Sequence, residues 1–300
     1  FSDKKTNQWI ELVNNTHSRK PIFIVINRAF LVTKKRYEDL SITISLIIHD
    51  ECHSAFTNTT KAFYDWLHKI NNPKVRCIGL SATPNVLEKP YDTILSHYSI
   101  YNAFCDNMIV PPKIKWIKSK QHLSINTLIT ICKEEIEKLV YKKIIVWCRL
   151  IDICQQQATI WKRYFPNYLI AVDTSKDTKD FATFNQFEKS HSNAILFCAS
   201  KHREGSDIKN LDGCVFLDGV SERTKKTFVQ CIGRVLRINE LKTYGLIIDL
   251  YVANCIELCD RVNEYLSLDN SFPWKYETDE YKDYTIKTLT LTHSPIKNNE

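Results

Sequence analysis

Short, nearly unbroken apolar runs recur along this chain: Ile22 to Ile26, Ser45 to Ile48, Val75 to Leu80, Ile144 to Cys148, Tyr168 to Val172, Ala194 to Cys198, Cys214 to Leu217 and Gly245 to Leu250. A strand that is apolar at every position is buried on both faces, which is how parallel strands covered by helices read. Helix-like stretches separate the runs. The clearest spans 122 to 140, where Ile125, Leu128, Ile129, Cys132, Ile136, Leu139 and Val140 share one face while Lys133, Glu134, Glu135 and Lys138 point away. Alternating strand and helix predicts an α/β fold with parallel sheets.

Pro111-Pro112 can continue neither a helix nor a central strand, so the pattern predicts a boundary there. Residues 1–110 then form a first domain with only three strands, 111–275 a second with five or six, and 276–300 a polar, frayed tail. Three parallel strands covered on both faces make a poor stand-alone sheet. The chain also opens on Phe1, and the expectation is that the first domain is incomplete at its N-terminus.

Six glycines occur, Gly79, Gly205, Gly213, Gly219, Gly233 and Gly245, and none has the Gly-x4-Gly-Lys-Ser/Thr spacing of a phosphate-cradling loop. Eleven cysteines, an odd number without a CxxC pair, read as buried free thiols in a reducing compartment. With no apolar run of membrane length and no leader, the sequence predicts a soluble intracellular protein without a membrane partner. A net charge of +7 permits polyanion binding without demanding it.

Four clusters carry the chemistry. His49-Asp50-Glu51-Cys52-His53 follows an apolar run, and ligands of open α/β sheets sit beyond the carboxyl ends of their strands. Two adjacent carboxylates there suit a magnesium nucleotide, although solvated turn carboxylates would look the same, and a zinc set of His49, Cys52 and His53 is poorly spaced. Ser81-Ala82-Thr83 ends the next strand with two short hydroxyl donors before Pro84. In a helix over 224–237, Gln230, Arg234 and Arg237 fall on one stripe, and Gly233 admits close approach, making an anion clamp instead of an ordinary basic face. The polar loop Ser200 to Asp207, with Gly205 between carboxylates, follows another strand and could touch a ribose, a phosphate or a neighbouring domain.

In order and rough spacing, Asp50-Glu51-Cys52-His53, Ser81-Ala82-Thr83, the strand Ile144 to Cys148, Glu204 to Asp207 and Gln230 to Arg237 resemble motifs II to VI of the superfamily 2 DExH-type helicases. The resemblance covers roughly residues 20 to 250, and the Lys-, Ile- and Asn-rich composition looks like that of large-DNA-virus helicases, whose setting would be host cytoplasm or virion. It implies two RecA-like parallel-sheet domains in tandem, with ATP and Mg2+ as cofactors and DNA or RNA as partner, alongside transcription or replication proteins. By that resemblance Asp50 would hold Mg2+ through water and Glu51 would be the general base. His53, Ser81 and Thr83 would couple nucleotide state to nucleic acid. Gly205, Asp207 and Gly233 would lie near the nucleotide, and Gln230, Arg234 and Arg237 would reach its γ-phosphate. Asn27 and Arg28 would lie near nucleic-acid contacts. The family's phosphate loop has no counterpart in these 300 residues, which predicts that the chain alone hydrolyses ATP poorly. The alternatives are a non-catalytic nucleic-acid or protein-binding module and a viral transcription or termination ATPase that translocates without unwinding.

Overall fold

The computed structural model describes residues 3–16, 22–52, 57–71, 75–81, 91–96, 98, 100–119, 123–176, 179–199, 201–202, 207–218, 225–251 and 274–291, and divides into two compact units, Phe1–His97 and Tyr98–Glu300. The division precedes the boundary expected at Pro111. Helix α4, Ile100–Cys105, belongs to the second unit and buries Tyr101 and Phe104 beside Ile109.

The first unit comprises α1 (Asp3–Asn14), α2 (Arg28–Val32) with a following 3-10 segment Thr33–Asp39, β1 (Leu46–His49), α3 (Asn58–Asn71) and β2 (Arg76–Gly79). β1 and β2 pair in parallel, Ile48 opposite Ile78. One face of this two-stranded sheet packs on a core of Val32, Tyr37, Phe63, Tyr64 and Leu67. The other face is open to solvent, with Leu46, Ile48, Ile78 and Leu80 between 40% and 61% exposed. The strand expected at Ile22 to Ile26 does not form: Phe23 is 89% and Val25 99% exposed, and the segment has no strand partner among the described residues. A strand exists only by pairing, so apolar composition alone does not create one.

The second unit holds one eight-stranded sheet. Its strands are β3 (Pro112–Ser119), β4 (Lys143–Cys148), β5 (Leu169–Asp173), β6 (Ala194–Cys198), β7 (Gly213–Leu217), β8 (Gly245–Tyr251), β9 (Trp274–Glu280) and β10 (Tyr284–Leu291), in the order β5-β6-β4-β7-β8-β3-β10-β9. The first six in that order run parallel and the β9–β10 hairpin is antiparallel. Helices α5 (Ile125–Ile136), α6 (Ile151–Tyr164), α7 (Phe184–Lys189) and α8 (Lys225–Val235) complete it. Alternation along β4 divides two cores: Ile145 and Trp147 join Phe216, Cys231 and Val235 on one face, while Ile144, Val146 and Cys148 join Ile129, Ile136, Trp161 and Phe165 on the other.

Four sequence expectations are corrected here. Pro112 opens β3 opposite Gly245 instead of barring a strand, because the first position of a strand needs no ladder N–H from it. The tail expected to fray from Tyr276 is the β9–β10 hairpin through residue 291, secured by buried Thr285, Ile286, Thr288 and Leu289. Its edge strand carries exposed Lys275, Glu277, Asp279 and Glu280, charges that discourage further pairing. Glu135, expected to face solvent, is 5% exposed and binds Lys115 at 2.9 Å and Lys138 at 2.6 Å. The helix over 122–140 shortens to α5 because Ser124 caps it, accepting from the Thr127 N–H at 3.1 Å. The nine described cysteines form no disulfide, and six of them are buried. Among the described residues no helix is long and apolar enough to cross a membrane.

Candidate functional site

In the first unit, β1 delivers Asp50 and Glu51 to its carboxyl end, where both are exposed. Glu51 takes a left-handed backbone (φ 52°), and the turn is steadied by its N–H donating to Asp50 Oδ1 at 2.9 Å. Two backbone bonds clamp this turn to the end of β2: Leu80 N–H donates to the His49 carbonyl and Cys52 N–H to the Leu80 carbonyl, each at 2.9 Å. Gly79 is demanded by that clamp, since a Cβ there would lie 2.7 Å from Cys52 Sγ and 2.8 Å from the Tyr91 ring. The acidic turn and half-buried Ser81 are therefore brought together, as the sequence order implied. His53 and Thr83 lie outside the described residues.

Sequence reasoning missed what lies under the turn. His49 Nδ1 sits 3.0 Å from the Tyr64 hydroxyl and 3.1 Å from that of Tyr91, and the two hydroxyls are 3.2 Å apart. Burial pushes the Tyr64 phenol up to about 12 and pushes Tyr91 up as well, so both remain neutral hydroxyls at physiological pH. The available signal was polar rings at inward-facing positions of an apolar strand and helix.

In the second unit, α8 ends at Val235, earlier than the expected 237. Gln230 and Arg234 remain one turn apart on it, with Arg234 only 8% exposed and Gln230 Oε1 shielded and without a hydrogen-bond partner among the described residues. Gly233 is exposed, and a Cβ there would meet nothing within 4 Å. Arg237 lies past the helix, bridged to Ile109 through the backbone, and its guanidinium pairs with the Asp207 carboxylate. The single stripe expected of Gln230, Arg234 and Arg237 is thus corrected: the chain turns after α8, and Arg237 joins Asp207 instead. Gly205 lies outside the described residues.

At the end of β5, Asp173 gathers Lys201 Nζ and His202 Nε2, each at 2.7 Å. Burial raises the Asp173 carboxyl, but the bonds from Lys201 and His202 outweigh it and hold the group below the usual range. Trp147 Nε1 donates to the Lys201 carbonyl at 3.2 Å, and Phe184 stacks on His202 at 4.1 Å between centroids. These contacts fasten Lys201 and His202 to the carboxyl ends of β4 and β5. Asp173 escaped sequence reasoning because it ends an apolar run with no motif around it.

Residues 126–239 match the helicase conserved C-terminal domain family. Over 285 residues the chain is 23% identical to the Saccharomyces cerevisiae protein named "Putative ATP-dependent helicase IRC3", covering 85% of this chain and 40% of that one. The chain thus spans about two fifths of the length of the curated relative it matches. Among solved structures it is similar to the ATP-dependent Type ISP restriction-modification enzyme LlaBIII bound to DNA, with a TM-score of 0.55, 16% identity, and 89% of this chain against 23% of that one. It is also similar to S. cerevisiae Dbp5 bound to RNA and ADP BeF3, with a TM-score of 0.52, 11% identity, and 86% of this chain against 67% of that one. At such identities the structural likeness establishes the RecA-like fold. Residues 126–239, the span similar to the helicase conserved C-terminal domain, hold the Asp207–Arg237 pair and helix α8.

Proposed function

We propose that the chain is part of an ATP-dependent superfamily 2 helicase or translocase that couples hydrolysis to movement on DNA or RNA. The observation that carries this reading is the match of residues 126–239 to the helicase conserved C-terminal domain family, a span with Gln230 and Arg234 on α8 and Arg237 just beyond it. The acidic turn supports it independently. Among the described residues no three His, Cys, Asp or Glu side chains form a metal cage, and Mg2+ needs none, since it keeps most of its waters and takes one or two carboxylates with the nucleotide phosphates. Asp50 would hold that ion through water; when bound, Mg2+ neutralises charge on the phosphates. Glu51 would orient and deprotonate the attacking water, and Arg234 and Arg237 would stabilise charge on the transferred group. Ser81, with His53 and Thr83, would couple the nucleotide state to the nucleic-acid surface.

The open sheet face of Leu46, Ile48, Ile78 and Leu80 favours a first unit whose face is covered by further segments in a longer protein. The test uses the full-length gene product. Nucleic-acid-stimulated ATPase is expected, and Glu51→Gln or Arg234→Ala should lower kcat at least a hundredfold. Full activity in either variant overturns the reading. One sequence fact favours a second reading: no Gly-x4-Gly-Lys-Ser/Thr occurs in these 300 residues, so this chain acting alone would be a nucleic-acid-binding module. In that case it binds single strands without hydrolysing ATP, and Glu51→Gln leaves the binding unchanged.

A further inference from the structure

Lys242 lies only 8% exposed, and among the described residues its Nζ hydrogen-bonds backbone carbonyls. Its Nζ donates to the carbonyl of Leu211 at 2.6 Å, to that of Val235, and to that of Arg237 at 3.4 Å. Val235 is the last residue of α8, so the ammonium satisfies a carbonyl left open at the helix C-terminus, where the helix dipole also favours a cation. Leu211 leads into β7, and the same nitrogen therefore ties the end of α8 to the sheet.

The surroundings extend this fastening. Lys242 N–H donates to the Asn239 carbonyl at 3.0 Å, while the Asn239 side chain bonds Asn210 at 2.6 Å and the Tyr141 hydroxyl at 3.1 Å. Val110 N–H reaches the Leu236 carbonyl at 2.9 Å, and Gly245 lets the chain pass Val235, since a Cβ there would lie 2.6 Å from that carbonyl. The titratable groups acting on Lys242 are Asp212 and Cys214; burial lowers its pKa to about 8, against the opposing pull of Asp212.

We propose that Lys242 is a positioning residue for phosphoryl transfer: by capping α8 and gathering the Arg237 carbonyl, it fixes where Arg234 and Arg237 stand. This rests on the helicase reading above. It places a cationic cap behind the arginines, where no contact with nucleotide is needed.

The test compares Lys242→Met, which keeps most of the unbranched side chain and removes the ammonium, with Lys242→Arg. In the 300-residue chain, Lys242→Met is expected to speed amide hydrogen exchange at residues 231–237 at least tenfold while α6 stays protected and the thermal midpoint stays within a few degrees. In the full-length protein it lowers kcat at least tenfold with KM for ATP within twofold, and Lys242→Arg restores part of the loss. A general packing defect would instead lower the midpoint and raise exchange in α6 as well. Unchanged exchange at 231–237, or an unchanged kcat in an active protein, overturns the proposal. If the wild-type protein has no ATPase, the helicase reading fails separately, and the exchange experiment still decides whether Lys242 caps α8.

Discussion

The two units bear the two halves of the candidate chemistry on unequal foundations. In the second, β4 and β6 are buried at every position and two cores sandwich the sheet. In the first, β1 and β2 alternate between half-buried and exposed residues, and only one face is covered, by α3 with Val32 and Tyr37. The arginine segment therefore sits on a scaffold that already buries what it must. The acidic turn sits on one that leaves four large apolar side chains in water, held locally by its two backbone bonds to Leu80 and its Tyr–His knot. A site can be locally ordered while the sheet beneath it lacks half its covering.

The largest effect should come from removing ring volume in the second unit. Trp147 is fully buried, stacks on Phe216 at 5.2 Å between centroids and donates to the Lys201 carbonyl. Trp147→Ala should cost about 3–5 kcal/mol in chemical denaturation. Ile48→Ala, at a residue 61% exposed, should change stability by less than about 0.5 kcal/mol in this chain. The contrast breaks if Ile48→Ala is as damaging as a core change. It sharpens if the same substitution costs about 2–5 kcal/mol in the full-length protein, because the face is then covered there.

A second contrast lies in the ion pairs. In the second unit, burial raises the Glu135 carboxyl, but the bonds from Lys138 and Lys115 prevail and hold it below the usual range. A carboxylate with a depressed folded pKa contributes stability above its unfolded value, and that contribution is lost as pH falls through the folded value. Glu135→Gln should thus cost about 2 kcal/mol at pH 7, leaving Lys115 half-stranded, and the difference from wild type should shrink below pH 4. In the first unit, Lys35 and Glu38 meet at 3.7 Å with both side chains more than half exposed, and Glu38→Gln should leave the denaturation midpoint unmoved at either pH. Equal responses would remove the distinction between the units.

The same asymmetry governs how much could be read in advance. Strands buried on both faces announce themselves as apolar runs, and those at 144–148, 194–198 and 245–250 needed little adjustment. Ile22 to Ile26 has the same composition and forms no strand, because pairing depends on partners that composition does not encode. β3 and β10 hid for the opposite reason: their lysines and threonines interrupt the apolar runs, yet Lys113, Lys118 and Lys287 hold their ammonium groups over the rings of Tyr244 and Trp116. Within the candidate site, motif spacing singled out Asp50, Glu51, Asp207 and Arg234. The neighbouring groups, His49 with Tyr64 and Tyr91, Asp173 with Lys201, and Lys242, act through tertiary contacts and have no short-range pattern. Gly79 was legible only as part of a motif; its physical need comes from Cys52 and Tyr91.

The smallest effect separates two uses of glycine. Gly79 is fixed by what already touches it, whereas Gly233 lies exposed on α8, where an added methyl would meet nothing within 4 Å. Inside a helix, alanine is favoured over glycine by roughly 0.5–1 kcal/mol, because glycine has more conformational freedom to lose. Gly233→Ala should therefore stabilise the second unit by about that amount, read as a rise in the denaturation midpoint. If a phosphate or a neighbouring backbone must approach α8 there, the same variant lowers kcat of the full-length protein despite its greater stability. Gly79→Ala could never make that separation, since stability and turn geometry would fall together. Unimpaired kcat in Gly233→Ala would mean that the open space above the helix is not used in catalysis, and would shift the close approach toward Arg237 and Asp207.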